Sequence, residues 1–351
     1  MVDFRWSFFE TVYFLRLHLT LATDMGTMDW KLLLLFTPFI LGAWATHVTL
    51  PKRLNNGVGL TPALGWNSWV CSSQLSGLPP LILSSFQGPR TNRGHVANRS
   101  TKNQAQCNAA SAATVLKTAQ AFIDLGLRDL GYTYLNIDDC WSMKNRNATG
   151  YLVPDPAKFP KGMDGLAKEV HGMGLKLGLY GDAGTLTCAG YPGSYKHEQQ
   201  DAETLAQWGV DYWKFDNCLT EVPYTNQGTT SKEYYPTMRD ALLKVSRPIL
   251  FSICQWGRDQ VWTWGAEVGN SWRMSDDIQN NWASVASIAA KAATIYQYSH
   301  PGAFNDLDMM VRYSMAPTTI VYWLQLPHSG SITLPFADLH CDSRSICLYT
   351  I

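Results

Sequence analysis

The chain has 351 residues, 46% of them hydrophobic and 16% charged, with Lys+Arg and Asp+Glu both totalling 28 for a formal charge of zero. That length and composition suit one large α/β domain, with room for a small second one. The balanced charge argues against nucleic acid or anionic lipid as a partner and in favour of a small neutral ligand. The 14 Trp residues offer faces of the kind that pack on sugar rings, although most indoles serve as core.

In chain order, Met28-Asp29-Trp30-Lys31 precedes an apolar run at 32–43 and the pattern Ala43-Trp44-Ala45. This reads as a signal peptide at 28–45, with Thr46 the first mature residue. The run is shorter than the roughly 20 apolar residues of a spanning helix, and a signal anchor is the alternative. Residues 1–27 read as an upstream extension. Secretion would put the eight Cys residues where disulfides form and would make Asn98 and Asn147, each in an Asn-x-Ser/Thr sequon, glycosylation candidates. Cys107, Cys140, Cys188, Cys218 and Cys254 lie in or beside the strand and helix pattern, whereas Cys71, Cys341 and Cys347 lie in segments foreign to it.

From residue 60 strand signals alternate with helical ones. Strands are expected at 64–69, 132–138, 175–180, 210–216, 249–254, 271–273 and 303–306. Helices are expected at 109–130, where Val115, Ala119, Phe122 and Leu125 recur at helical spacing, and at 163–173, 198–208, 234–245 and 281–298. This alternation argues for right-handed βαβ units, buried best in a (β/α)8 barrel of the TIM type. Two stretches break the pattern. Residues 72–106 form an atypical insertion rich in Ser, Pro, Gly, Asn and Arg, and 311–351 an atypical tail without a recognisable eighth strand. The catalytic domain is therefore placed at 46–310, as a barrel incomplete at its C-terminal end with open strand edges.

Several strand-like runs end in Asp, and the active site of a parallel barrel is assembled at those ends. Asp216 follows an apolar strand, with Lys214 two residues before it. A nearby cation lowers a carboxylate's pKa and keeps it ionised, as a nucleophile at an anomeric carbon needs. Asp277 stands four residues after Arg273. Each Asp alone equally fits an ion pair or a cap at a strand–helix turn. Together, two carboxylates on different strand ends are the minimum equipment for glycoside hydrolysis. Asp138-Asp139 adds adjacent acids, which fit substrate hydroxyls or, alternatively, a hard metal ion.

The strings Gly65-Trp66-Asn67-Ser68-Trp69, Leu135-Asn136-Ile137-Asp138-Asp139-Cys140-Trp141, Gly178-Leu179-Tyr180-Gly181-Asp182-Ala183-Gly184, Cys188-Ala189-Gly190, Lys214-Phe215-Asp216-Asn217-Cys218 and Asn305-Asp306-Leu307-Asp308 resemble the α-galactosidases of glycoside hydrolase family 27, particularly its fungal and plant members. The resemblance covers 56–71 and 107–310. It implies a retaining exo-α-galactosidase with Asp216 as nucleophile and Asp277 as acid/base, the carboxyls about 5 to 5.5 Å apart. By the same resemblance Trp69, Asp138, Asp139, Tyr180, Lys214 and Arg273 hold the terminal galactose, and Cys107–Cys140 and Cys188–Cys218 are disulfides. Cys254 and Trp256 match the segment facing the sugar's 2-position, where the bulk of Trp256 suits a plain hydroxyl. No cofactor or metal is implied, and the partner is a galactoside or galacto-oligosaccharide, with no nucleic acid and no membrane after signal cleavage. Met274 and Ser275 stand where the family usually has small or Thr residues, and Asp276 where it has a non-acidic one. The eighth strand and the family's C-terminal β-domain are not recognisable. The alternatives are an α-N-acetylgalactosaminidase or β-L-arabinopyranosidase, or an inactive galactose-binding homologue.

Overall fold

The computed structural model describes residues 54–69, 107–279, 281–309 and 349–350. Seven parallel strands form a curled half-barrel: β1 (Leu64–Asn67), β2 (Tyr132–Asn136), β3 (Lys176–Asp182), β4 (Tyr212–Asp216), β5 (Leu250–Ile253), β6 (Ser271–Arg273) and β7 (Phe304–Asp306). Their order in the sheet follows the chain, as successive right-handed crossovers require. A two-residue strand, β8 (Tyr349–Thr350), lies antiparallel against Leu64 and Gly65 of β1. Six α-helices of the described residues accompany the sheet: α1 (Ala112–Asp124), α2 (Gly162–Gly172), α3 (Glu198–Trp208), α4 (Ser231–Lys244), α5 (Gly265–Val268) and α6 (Trp282–Ile295). None is long and apolar enough to cross a membrane.

Local chemistry sets the helix ends. The Ser111 hydroxyl accepts from Thr114 N–H at 3.3 Å and caps α1, and the Asn281 carboxamide accepts from Ser284 N–H at 2.9 Å and caps α6. Thr230 and Glu233 close a capping box at the start of α4. The helix expected over 109–130 stops at Asp124, because Gly126 turns left-handed at φ 69°; a 3-10 turn at Arg128–Leu130 follows.

Alternate strand residues point to opposite faces, and the sheet thereby separates two apolar regions. Leu135, Leu177, Trp213, Phe251 and Trp272 join Val115, Phe122, Met163, Leu205 and Met238 of the helices in one large core. Tyr134, Tyr212 and Leu250 form a second cluster with Ala63 on the inner face. Tyr134 and Tyr212 belong to strands separated by β3, yet their rings meet edge to face at 5.7 Å. This cluster fills the end of the half-barrel where strands begin, and polar groups occupy the end where they finish.

Candidate active site

β2 finishes at Asn136, two residues earlier than expected, so Asp138 and Asp139 stand in the turn beyond it. Both are buried. Asp138 Oδ2 accepts from Lys214 Nζ at 2.7 Å and Asn67 Nδ2 at 2.8 Å, while Asp138 Oδ1 accepts from the Asp139 N–H at 2.9 Å. Asn67 Oδ1 also accepts from the Trp69 N–H at 2.8 Å, which links the end of β1 to this carboxylate. Asp139 faces the loop after β3. Its Oδ1 accepts from Thr187 Oγ1 at 2.8 Å and Cys140 N–H at 2.7 Å, and its Oδ2 from Ala189 N–H at 2.8 Å. Burial nevertheless outweighs these bonds and pushes its carboxyl up to about 6.

Asp182 and Asp216 close β3 and β4 in register with one another. Tyr180 donates its hydroxyl to Asp216 Oδ2 at 2.8 Å, and the Asn217 N–H reaches Oδ1 at 3.0 Å. The proximity of Lys214 was expected to hold Asp216 low. Lys214 and Tyr180 do pull its carboxyl down, but burial is the larger effect and the net shift is upward. The ammonium of Lys214 pairs directly with Asp138. Asp182 is fully buried; it accepts from Gly184 N–H at 2.7 Å and Cys218 N–H at 2.9 Å, so one carboxyl holds the turns after both strands. Burial and the neighbouring Asp216 push it well up. A Cβ on Gly184 would lie 2.0 Å from the Cys218 carbonyl oxygen, an approach that only glycine permits.

Two disulfides flank these turns, Cys107–Cys140 and Cys188–Cys218. Cys188 Sγ lies 3.5 Å from Asp216 Oδ2. Asp182, Asp216 and these two sulfurs gather within 4.8 Å, but disulfide sulfurs are not thiolates and cannot serve as thiolate metal ligands.

Arg273 ends β6, 3% exposed. Its Nη2 pairs with Asp308 Oδ2 at 2.7 Å and Asp277 Oδ1 at 3.0 Å, and its Nη1 lies 3.8 Å from the sulfur of the free, buried Cys254. The Asp277 side chain is 67% exposed, and Asp276 is exposed beside it. Asp306 is buried at the end of β7, and burial raises its carboxyl to about 6 against the pull of Arg273. Strand ends of this arrangement offer a deep carboxylate, a cation beside it and a second, solvent-facing carboxylate on another loop.

A family model described as α-galactosidase A matches residues 95–316. Alpha-galactosidase 2 of Arabidopsis thaliana is 42% identical over 296 residues, 84% of this chain and 64% of that protein. The chain belongs to the α-galactosidase family, glycoside hydrolase family 27. The α-galactosidase of Cyamopsis tetragonoloba is 42% identical, covering 76% of this chain and 56% of its own. Among solved structures of the family, the Saccharomyces cerevisiae α-galactosidase, also determined with raffinose, aligns with a TM-score of 0.60 at 34% identity over 73% of this chain and 54% of that one. This chain thus spans between half and two thirds of the length of these α-galactosidases.

Within this family member, Asp138, Tyr180, Lys214 and Asp216 form one connected group at the ends of β2 to β4, and Cys254, Arg273 and Asp277 a second at β5 and β6. Both expected disulfides are formed. Trp69 is half-buried beside Asn67. Trp256 sits after β5 with a left-handed φ of 60° and its ring 4.7 Å from the Arg258 guanidinium. Asn147 is exposed, its Oδ1 accepting from Thr149 Oγ1 at 2.9 Å. Asn98, Cys71, Cys341, Cys347, the segment 28–45, the insertion 72–106 and most of the tail lie outside the described residues. Sequence reading gave no role to Asn67, Asp182, Thr187, Asp306 or Asp308. Asn67, Asp182, Asp306 and Asp308 occur inside the quoted motifs, but the contacts of Asn67 with Asp138, Asp182 with Cys218 and Asp308 with Arg273 join segments distant in sequence.

Proposed function

We propose that the protein is a secreted, retaining exo-α-galactosidase that releases terminal α-linked D-galactose from galactosides and oligosaccharides. The observation that carries this reading is Asp216, a buried carboxylate at the end of β4, gripped by Tyr180 and set beside the Lys214–Asp138 pair. In the first step an Asp216 oxygen bonds to the anomeric carbon as the glycosidic C–O bond breaks, and Asp277 gives its proton to the departing oxygen. In the second, Asp277 takes a proton from water, whose oxygen displaces Asp216 and frees β-bound carboxylate as α-galactose leaves with its configuration retained. Asp138, Asp139, Lys214 and Arg273 accept from or donate to the sugar hydroxyls, and a site built to pair those hydroxyls rejects the wrong epimer. Trp256 suits a plain 2-hydroxyl rather than an acetamido group. The pattern at 28–45, together with two disulfides, supports secretion.

The test is release of nitrophenol from p-nitrophenyl α-D-galactopyranoside by the 351-residue chain, with Asp216→Asn as the comparison. Turnover that falls by more than about 10⁴-fold in the variant supports the assignment, as does α-galactose seen first by NMR. β-Galactose as the first product sinks it. The second reading is a galactose-binding protein without turnover. Retention on immobilised galactose with no nitrophenol released would select it.

A further inference from the structure

Asp277 stands on the loop between β6 and α6 with its side chain 67% exposed, a poor setting for a group whose proton must reach one particular oxygen. Its carboxylate pairs with Arg273, and Arg273 is in turn held from beyond β7. Asp308, two residues past that strand, is 4% exposed. Its Oδ2 accepts from Arg273 Nη2 at 2.7 Å and from the Ile278 N–H at 2.8 Å, and its Oδ1 accepts from the Met309 N–H at 2.7 Å. One buried carboxylate therefore grips both the guanidinium paired with Asp277 and the peptide N–H immediately after Asp277. Asp308 is itself pinned, since Asp306 Oδ1 accepts its N–H at 2.7 Å. Its φ of 77° is left-handed, a region that residues other than glycine seldom occupy and that Asp and Asn tolerate best. Backbone strain retained at a residue with this set of contacts accords with a functional demand.

We infer that Asp308 is a positioning residue for the acid/base chemistry of Asp277, latching the β6–α6 loop to the end of β7; this rests on the role given to Asp277 above. Proton transfer requires the donor within hydrogen-bond reach of the acceptor, and a misplacement of about 1 Å costs about 100-fold. Asp308→Asn keeps the side-chain shape, the left-handed backbone and one acceptor oxygen, and removes the charge that holds Arg273.

The experiment compares kcat/KM, which reports formation of the galactosyl intermediate, for an alkyl α-galactoside and for 2,4-dinitrophenyl α-galactoside. The alkoxide must be protonated as it leaves, whereas dinitrophenolate departs without a proton. In Asp308→Asn the alkyl substrate is expected to lose about 100-fold and the dinitrophenyl substrate less than about tenfold. Azide should raise kcat on the dinitrophenyl substrate, because it displaces Asp216 from the anomeric carbon without needing a base. Equal losses on both substrates with no azide effect would mark a merely structural residue and overturn the inference. Asp277→Ala is measured alongside: leaving-group selectivity and azide rescue there support the acid/base assignment, and their absence removes that assignment and the inference with it. Amide exchange at Ile278 tests the latch without turnover. It should quicken in Asp308→Asn, and unchanged exchange refutes the latch even where the kinetics of Asp277→Ala stand.

Discussion

Replacing Asp139 by Asn removes a carboxyl that burial has pushed from an ordinary value of 3.8 up to about 6. The residue is 2% exposed, so solvent does little to screen the effect. In the unfolded chain the same carboxyl titrates near its ordinary value. Between about pH 4 and 6 the folded protein therefore holds a proton that the unfolded chain has released. Folding is favoured most below that window, and the contribution is lost as pH rises through the folded value. About two pKa units at about 1.4 kcal/mol each make the loss about 3 kcal/mol by pH 7. Asp139→Asn lacks this titration. Its unfolding free energy, relative to the parent protein, should gain about 3 kcal/mol between pH 4 and pH 7 and then level off. Urea unfolding of both proteins at pH 4, 5, 6 and 7 measures the difference, in which the other titrating groups cancel. An amide facing the Ala189 N–H adds a constant offset, so the slope with pH carries the result. A difference independent of pH, or one that shrinks as pH rises, refutes the assignment of the shift to burial of Asp139.

Tyr180→Phe deletes a hydrogen bond to Asp216 Oδ2 that favours the ionised carboxylate, so the acid limb of the pH profile of kcat/KM should move to higher pH; a limb that stays or moves down argues against Asp216 as the titrating nucleophile. Cys188→Ser with Cys218→Ser opens a disulfide between residues 30 apart in sequence, and unfolding free energy should drop by about 3 to 4 kcal/mol by loop-closure entropy. Denaturation of the double variant against the oxidised parent checks this, and a loss below about 1 kcal/mol would contradict the chain-entropy account.

Elements whose limits follow from local chemistry were legible. The helix read at 198–208 and the strand read at 271–273 coincide with α3 and β6; Gly209, left-handed at φ 80°, ends the first as a glycine should. The reading at 109–130 ran on because Leu125 and Leu130 continue the apolar period, while Gly126 had already broken the backbone. The helix read from 234 begins at Ser231, because the Thr-x-x-Glu of its capping box was present in the sequence and went unused. In the site, Asp216 announces itself by closing an apolar strand and Asp138 by following one. The pairing of Lys214 with Asp138 spans 76 residues and is fixed by strand order, which spacing does not encode. Burial was the other hidden quantity. A Lys two residues from an Asp promises a lowered carboxyl, but the depth of Asp216 reverses the sign.

Where the strands finish, Asp138, Asp139, Asp182, Asp216, Asp306 and Asp308 are all buried, and the ion pairs among them are made by Lys214 and Arg273. A chain whose formal charge is zero thus gathers acidic groups at this end of its strands. In the proposed reaction, a sugar whose ring becomes positive as its glycosidic bond stretches would be stabilised there before any bond to Asp216 has formed. Under that proposal the same acidic groups would turn away anionic sugars, and their field would select for neutral glycosides independently of shape.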